Sequence, residues 1–118
     1  MPTILVVEDD TPLRQALMTV LAAQGYEPRQ AEDVPSALAR IAAEPIDVVL
    51  SDIDMPGNGY SLLTKIREVR PGTPVVLMTG IEEDDYGRRA LDAGASAYLI
   101  KPIRMSVLKA TLDRACRR

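Results

Sequence analysis

The chain has 118 residues, 47% of them hydrophobic and 26% charged, and this balance predicts one domain over residues 1–118 with a sizeable core. Its net charge of −3 argues against nucleic-acid binding by this domain alone, because phosphate contacts need a basic face. The sequence has no histidine and a single cysteine, Cys116, which excludes a Ser/His/Asp triad, a histidine-ligated zinc site and an internal disulfide.

The first part of the chain predicts two strands separated by a helix. The apolar run TILVVE (3–8) predicts strand 1, and Thr11 followed by Pro12 predicts an N-cap and the first helical position. We expect Gly25 to end that helix, and EPRQA (27–31) predicts a weak strand 2. The residues with helical spacing on the predicted inner face are Leu13, Ala16, Leu17, Val20 and Leu21.

The same alternation continues to the last residues. Asp33 is expected to cap helix 2, and IDVVLS (46–51) predicts strand 3 before a third helix. PVVLMT (74–79) predicts strand 4, and residues 83–95 predict helix 4, which Gly94 ends.

The last strand, AYLI (97–100), is followed by a fifth helix. Strands that alternate with helices in this way predict an α/β fold, a parallel sheet with helices on both faces. A weak second strand suits a sheet edge, which favours the flavodoxin-like, doubly wound, five-stranded order 2-1-3-4-5. Such sheets bind ligands beyond the carboxyl ends of the strands, at the switch point between strands 1 and 3.

Polar side chains follow the predicted strands at this edge, where we expect them to share one crevice. They are Glu8, Asp9 and Asp10 after strand 1, Asp52 and Asp54 after strand 3, Thr79 at the end of strand 4 and Lys101 after strand 5. Clustered carboxylates repel one another, so either a shared proton or a cation must neutralise them. With only oxygen ligands on offer, Mg²⁺ is the first candidate.

A Mg²⁺ ion held by a few carboxylates keeps open positions for water and a phosphoryl oxygen. Aspartate can accept a phosphoryl group as an aspartyl-phosphate, which predicts that Asp52 is a nucleophile. Thr79 and Lys101 could donate to the phosphoryl oxygens.

The segments ILVVEDD, SDIDMP, VLMTG and DAGASAYLIKP, with their spacing, resemble the receiver domains of two-component response regulators, including the chemotaxis response regulator. The resemblance covers essentially the whole chain and implies a role for each matching residue. Asp52 matches the phospho-acceptor. Glu8 and Asp9 match the acidic pair that binds metal with Asp52, and the backbone carbonyl of Asp54 matches a further metal ligand. Thr79 matches the hydroxyl switch, Lys101 matches the phosphate-reading lysine, and Tyr98 matches the aromatic switch. It also implies a cis peptide bond between Lys101 and Pro102.

Two positions depart from the family pattern. The loop after Pro56 reaches its glycine one residue early, which could alter loop dynamics or move the carbonyl of Asp54. Gly80 follows Thr79 where the family often has alanine, so the backbone there is expected to be looser.

The resemblance also implies partners. A histidine kinase or phosphotransfer protein would supply the phosphoryl group, because the chain has no histidine. Phosphorylation would shift a two-state equilibrium. An unknown output domain or protein would read it on the face of helix 4, strand 5 and helix 5, or a second copy would do so in a phosphorylation-dependent homodimer. The chain would catalyse only its own phosphorylation and dephosphorylation. No membrane-length apolar run or leader is present, so a cytoplasmic location without membrane contact is expected.

Three alternative functions fit parts of the sequence. The DID of residues 52–54 resembles the DxD of haloacid-dehalogenase-type phosphatases, although here an acidic pair precedes the nucleophilic strand. A mononucleotide- or flavin-binding module needs a Gly- or Ser/Thr-rich loop after strand 1, where this chain has EDDTPL. A pseudo-receiver that binds partners without phosphorylation is the third alternative, which the short loop keeps open.

Overall fold

The computed structural model describes residues 1–55, 57–80 and 84–117, with the side chains of residues 84–87 outside the description. Strands and helices alternate through the described residues. They are β1 (Thr3–Val7), α1 (Thr11–Ala23), β2 (Glu27–Ala31), α2 (Val34–Ala43), β3 (Val48–Asp52), α3 (Gly59–Val69), β4 (Val75–Thr79), α4 (Asp84–Asp92), β5 (Ala97–Ile100) and α5 (Met105–Cys116). All five predicted strands are present. Their bounds differ from the prediction in three cases, since β1 ends at Val7 instead of Glu8, β3 spans Val48–Asp52 instead of 46–51, and β4 begins at Val75 instead of Pro74.

The five strands form one parallel sheet in the order β2-β1-β3-β4-β5, which confirms the predicted flavodoxin-like topology. Every residue of β3 and β4 is buried, because helices cover both faces of these central strands. In β2 only Ala31 is buried, as suits an edge strand. Among the described residues, no helix combines the length and apolarity needed to cross a membrane.

Alternate residues of β1, β3, β4 and β5 enter or pack against two hydrophobic clusters, one on each face of the sheet. Leu5 and Val7 of β1 pack with buried residues of α2, α3 and α4 on one face. Ile4 and Val6 pack with buried residues of α1 and α5 on the other. This alternation follows from the two-residue period of a strand and fixes which way each strand end faces.

The helix ends confirm two predictions and correct one. Asp33 caps α2 in a capping box with Ser36, and Gly25 follows α1 with φ 92°. The N-cap of α1, however, is Asp10 and not Thr11, because the Asp10 carboxylate accepts a hydrogen bond from the backbone N–H of Leu13 at 3.1 Å. A carboxylate also suits the positive end of the helix dipole.

Candidate functional site

The carboxyl ends of the central strands bring the predicted site residues to one edge of the sheet. In the parallel register Val7 lies beside Ser51, so Glu8, which follows Val7, lies level with Asp52. Thr79, the last residue of β4, pairs with Ile100. The ends of these strands therefore lie side by side, as the strand order predicts.

Three carboxylates meet at this edge. Glu8, Asp9 and Asp52 each place one carboxylate oxygen within 4.8 Å of the others. Glu8 and Asp52 are only 1% and 4% exposed, whereas Asp9 is exposed to solvent. Two like charges about 4 Å apart repel by about 4 kcal/mol at an effective dielectric constant of about 20. The all-oxygen donor set suits a hard divalent cation such as Mg²⁺.

The Lys101 ammonium group contacts both buried carboxylates. Its Nζ lies 2.9 Å from Glu8 Oε1 and 3.2 Å from Asp52 Oδ2. Burial lowers the pKa of Lys101, but its bonds to Glu8 and Asp52 outweigh this and raise the pKa overall. The peptide bond between Lys101 and Pro102 is cis, as predicted. Lys101 thus offsets part of the negative charge of the cluster.

Glu8 is the carboxylate most affected by burial. Desolvation raises its pKa to about 7, against the lowering effect of the hydrogen bond from Lys101 and with a further increase from the charge of Asp52. Near neutral pH the metal-free site can therefore hold a proton on Glu8. Metal binding would release that proton, because a carboxylate must be ionised to act as a ligand.

The two remaining acidic residues lie beside this cluster. Asp10, which the motif match left outside the acidic pair, caps α1, and its backbone N–H donates to Glu8 Oε2 at 3.3 Å. The exposed residue Asp54 follows β3, and its backbone N–H donates to Asp52 Oδ1 at 3.3 Å. The metal-ligand role of the Asp54 carbonyl stays a prediction.

The two predicted switch residues lie on neighbouring strands. Thr79 is buried at the end of β4. Tyr98, which is half-buried, lies beside Leu77 in the register of β4 and β5 and packs against the cluster that includes Leu77. Because Leu77 and Thr79 are two residues apart on one strand, Thr79 and Tyr98 share a face of the sheet. Their switch roles stay predictions.

The short loop after β3 contains two consecutive residues with positive φ. Gly57 and Asn58 have φ of 91° and 68°, and the Asn58 side chain accepts from Tyr60 N at 2.7 Å to cap α3. A Cβ on Gly59 would lie 2.5 Å from the carbonyl oxygen of Asp52. The start of α3 therefore packs directly on the end of β3. Pro56 lies outside the described residues.

One residue of the site environment, Arg14 of α1, was not predicted from the sequence. It is 9% exposed, and its Nη1 donates to the backbone carbonyl of Glu8 at 2.7 Å. Arg14 precedes Leu17 and Leu21 by three and seven residues, which places a charged residue on the buried stripe of the helix. This helical spacing was the sequence feature that could have indicated the burial of Arg14. The predicted inner-face residue Ala16 is exposed instead.

Comparison with known proteins is consistent with this geometry. A family model described as the response regulator receiver domain matches residues 4–113. The response regulator protein FleR of Pseudomonas aeruginosa is 40% identical over 106 residues, 89% of this chain and 22% of FleR. The sensor histidine kinase RcsC of Salmonella typhimurium is 38% identical over 110 residues, 92% of this chain and 12% of RcsC. The chain thus spans less than a quarter of either relative.

The fold has close structural counterparts. The receiver domain of the Francisella response regulator 1452 superposes with a TM-score of 0.94 at 28% sequence identity, covering 100% of this chain and 98% of that one. The receiver domain of NtrX from Brucella abortus gives 0.90 at 33% identity, with coverage of 96% and 97%.

Proposed function

The chain belongs to the response regulator receiver domain family of two-component systems, and from this premise we propose that Asp52 accepts a phosphoryl group. The observation that carries the proposal is the buried Asp52 carboxylate, close to the Glu8 and Asp9 carboxylates and 3.2 Å from Lys101 Nζ. In phosphoryl transfer, positioning and charge neutralisation supply most of the catalysis. All 118 residues would form this one domain.

Magnesium is the proposed cofactor, held by the Glu8, Asp9 and Asp52 carboxylates and the Asp54 backbone carbonyl. When bound it would neutralise the cluster and orient a phosphoryl oxygen. The burial of Glu8 and Asp52 supports this role, because two buried carboxylates need a compensating positive charge beyond the one that Lys101 supplies.

The proposed donor is a phosphohistidine on a histidine kinase or phosphotransfer protein. A carboxylate oxygen of Asp52 forms a bond to phosphorus while the P–N bond to the donor imidazole breaks. The imidazole nitrogen keeps that electron pair and takes up a proton. Lys101 Nζ and the Thr79 hydroxyl donate to the phosphoryl oxygens. Beyond this reaction and the hydrolysis of the aspartyl-phosphate, in which water takes the phosphoryl group and the Asp52 carboxylate is regenerated, the chain has no proposed catalytic activity.

The proposed output surface is the face of α4, β5 and α5. Three of the exposed large hydrophobic side chains in the described chain lie on or beside it, and these are Leu91, Ile100 and Val107. Each is at least 37% exposed, which supports a partner-binding role. That partner would be an output domain or protein, or a second copy in a phosphorylation-dependent homodimer. The phosphorylation-independent alternative is not favoured, since every group that the chemistry needs is present.

The test is labelling by acetyl phosphate in the presence of Mg²⁺. Asp52→Asn keeps the shape of the side chain but removes the nucleophile, so labelling should vanish. Asp92→Asn, the same substitution at an exposed residue of α4 that has no part in the proposed site, is the matched control, and labelling should persist. Undiminished labelling of folded Asp52→Asn would reject Asp52 as the acceptor.

A further inference from the structure

The backbone carbonyl of Glu8 is buried just beyond the end of β1, where the sheet cannot provide its partner. The Glu8 N–H continues the pairing with β2 by donating to Ala31 O at 3.1 Å. The Glu8 carbonyl oxygen accepts a hydrogen bond from Arg14 Nη1 at 2.7 Å. Since buried carbonyls need a partner, this side chain completes the β1 end.

Other residues hold the Arg14 guanidinium in place. Its Nε donates to Gln30 Oε1 of β2 at 2.9 Å, and its Nη2 lies 3.4 Å from Thr11 Oγ1. The planar guanidinium therefore spans α1, β2 and the end of β1, and it has little freedom to rotate.

Burying the charged Arg14 side chain has a cost in desolvation free energy. It is 9% exposed, and among the described residues no carboxylate lies within 4.0 Å of it. A methionine or leucine would continue the buried stripe of Leu17 and Leu21 without a desolvation cost. The position thus carries a buried cation whose closest bond goes to a backbone carbonyl, that of a cluster residue.

We infer that Arg14 is a positioning residue for the acidic cluster. The Glu8 carbonyl belongs to the same peptide plane as the Asp9 N–H, so the bond from Arg14 fixes the plane that joins the two residues. Fixing that plane sets the directions in which the Glu8 and Asp9 side chains leave the backbone. This inference rests on the proposed Mg²⁺ site.

A positioning role and a purely electrostatic role of Arg14 predict opposite changes in Mg²⁺ affinity when the residue is replaced. Arg14 is a cation near a cation site, so if it acted only through its charge, removing it would tighten Mg²⁺ binding. If it positions Glu8 and Asp9, removing it weakens Mg²⁺ binding although repulsion falls. Partners of metal ligands typically change metal affinity by about 10–100-fold when they are mutated.

The experiment is a Mg²⁺ titration followed by amide chemical shifts on the full chain, with urea unfolding in EDTA as a separate measure of stability. We expect Arg14→Met to raise the Mg²⁺ dissociation constant about tenfold or more. Arg14→Lys keeps a positively charged hydrogen-bond donor but not the planar guanidinium group with its several N–H donors. Its Mg²⁺ dissociation constant should therefore lie between those of the wild type and Arg14→Met. Arg40→Met, the control, removes a cation that pairs with Glu44 and does not contact Glu8, and should bind as wild type does.

An unchanged or lower dissociation constant in folded Arg14→Met, whatever its stability, would overturn the inference and leave the proposed function intact. If that variant does not fold, Arg14→Lys decides, and a wild-type dissociation constant in it would overturn the inference. A wild-type chain that binds no Mg²⁺ would overturn both the inference and the proposed metal site.

Discussion

At the scale of single residues, the site holds more negative than positive charge. Three carboxylates share one ammonium group, and two of them, Glu8 and Asp52, are almost fully buried. Their net negative charge is unfavourable in the metal-free protein and favourable to a divalent cation. Burial is the main cause of the raised pKa of Glu8, about 7, and the negative charge of Asp52 raises it further.

We predict that the metal-free protein loses stability as the pH rises from about 4.5 to about 7. Unfolded, Glu8 ionises near 4.5, whereas burial holds its folded pKa at about 7. The folded state therefore binds more protons in this window, and the free energy of unfolding falls with increasing pH, by about 1–3 kcal/mol in total. Urea unfolding in EDTA at several pH values measures it.

Glu8→Gln is the control for this profile, since it is neutral at every pH. The variant should lack the decrease, and Mg²⁺ should reverse the decrease in the wild type. Identical profiles for the two proteins would show that Glu8 is not the titrating group.

We also predict that Lys101→Met binds Mg²⁺ more tightly than the wild type, because the Lys101 ammonium competes with the metal for Glu8 and Asp52. The dissociation constant should fall roughly tenfold, or about 1.4 kcal/mol. Lys109→Met, which removes an exposed lysine paired with Asp113 on α5, should leave it unchanged. Weaker Mg²⁺ binding by Lys101→Met would mean that the lysine organises the ligands instead of competing.

At the scale of elements, four of the five strands could be predicted because each is a short apolar run, whereas the polar β2 was predicted only as a weak strand that suits a sheet edge. Site residues at their ends followed from the topology alone. The N-cap of α1 was placed one residue late because Asp10 and Thr11 are both good caps, and only the backbone conformation decides between them. Arg14 was missed because its helical spacing indicates only that it is buried, whereas its partner, a backbone carbonyl, leaves no trace in a sequence.

The junction of β3 and α3 has a requirement that the sequence did not reveal. Gly59 is needed for the close approach of two backbones, since its Cβ would lie 2.5 Å from Asp52 O and 2.7 Å from the Cα of Ile53. Gly59 N also donates to Ile53 O at 2.9 Å. These contacts explain how a loop one residue shorter than the family pattern still delivers α3 to the acceptor strand.

Gly59→Ala should therefore lower the free energy of unfolding by about 1–3 kcal/mol and reduce the rate of Asp52 labelling, because the acceptor strand must shift. Gly72→Ala is the matched control. A Cβ on Gly72 meets nothing within 4 Å, so its stability should stay within about 0.5 kcal/mol of the wild type. Equal stability and labelling for both variants would show that the junction is looser than the contacts imply.

At the scale of the whole molecule, the acidic site and the proposed output surface are joined through β4 and β5. Thr79 ends β4 at the site, and the four paired positions of the two strands run from Val76–Ala97 to Thr79–Ile100. Tyr98 lies on β5 between them, half-buried and packed beside Leu77. A signal that crosses this pair of strands needs an element with two arrangements, and we predict that the Tyr98 side chain provides it.

The last prediction tests that coupling with beryllofluoride, a phosphoryl mimic. If Thr79 moves to bond a phosphoryl oxygen, it vacates space toward β5, and Tyr98 can turn into that space and change the surface beside α4. Such coupling is typically about 1–3 kcal/mol, enough to alter partner affinity at least several-fold. Beryllofluoride should shift amide resonances across the α4, β5 and α5 face in the wild type. In Thr79→Ala those shifts should be much smaller, although resonances around Asp52 still respond.

Tyr98→Ala separates the output from the chemistry, since it should leave Asp52 labelling largely intact while blunting the response of the same face. Thr64→Ala, the same substitution as in Thr79→Ala but on the exposed side of α3, should respond as the wild type does. A full response of the α4, β5 and α5 face in Thr79→Ala would mean that the signal leaves the site by another route. The α3 junction is the nearest alternative, because Gly59 contacts the Asp52 backbone directly.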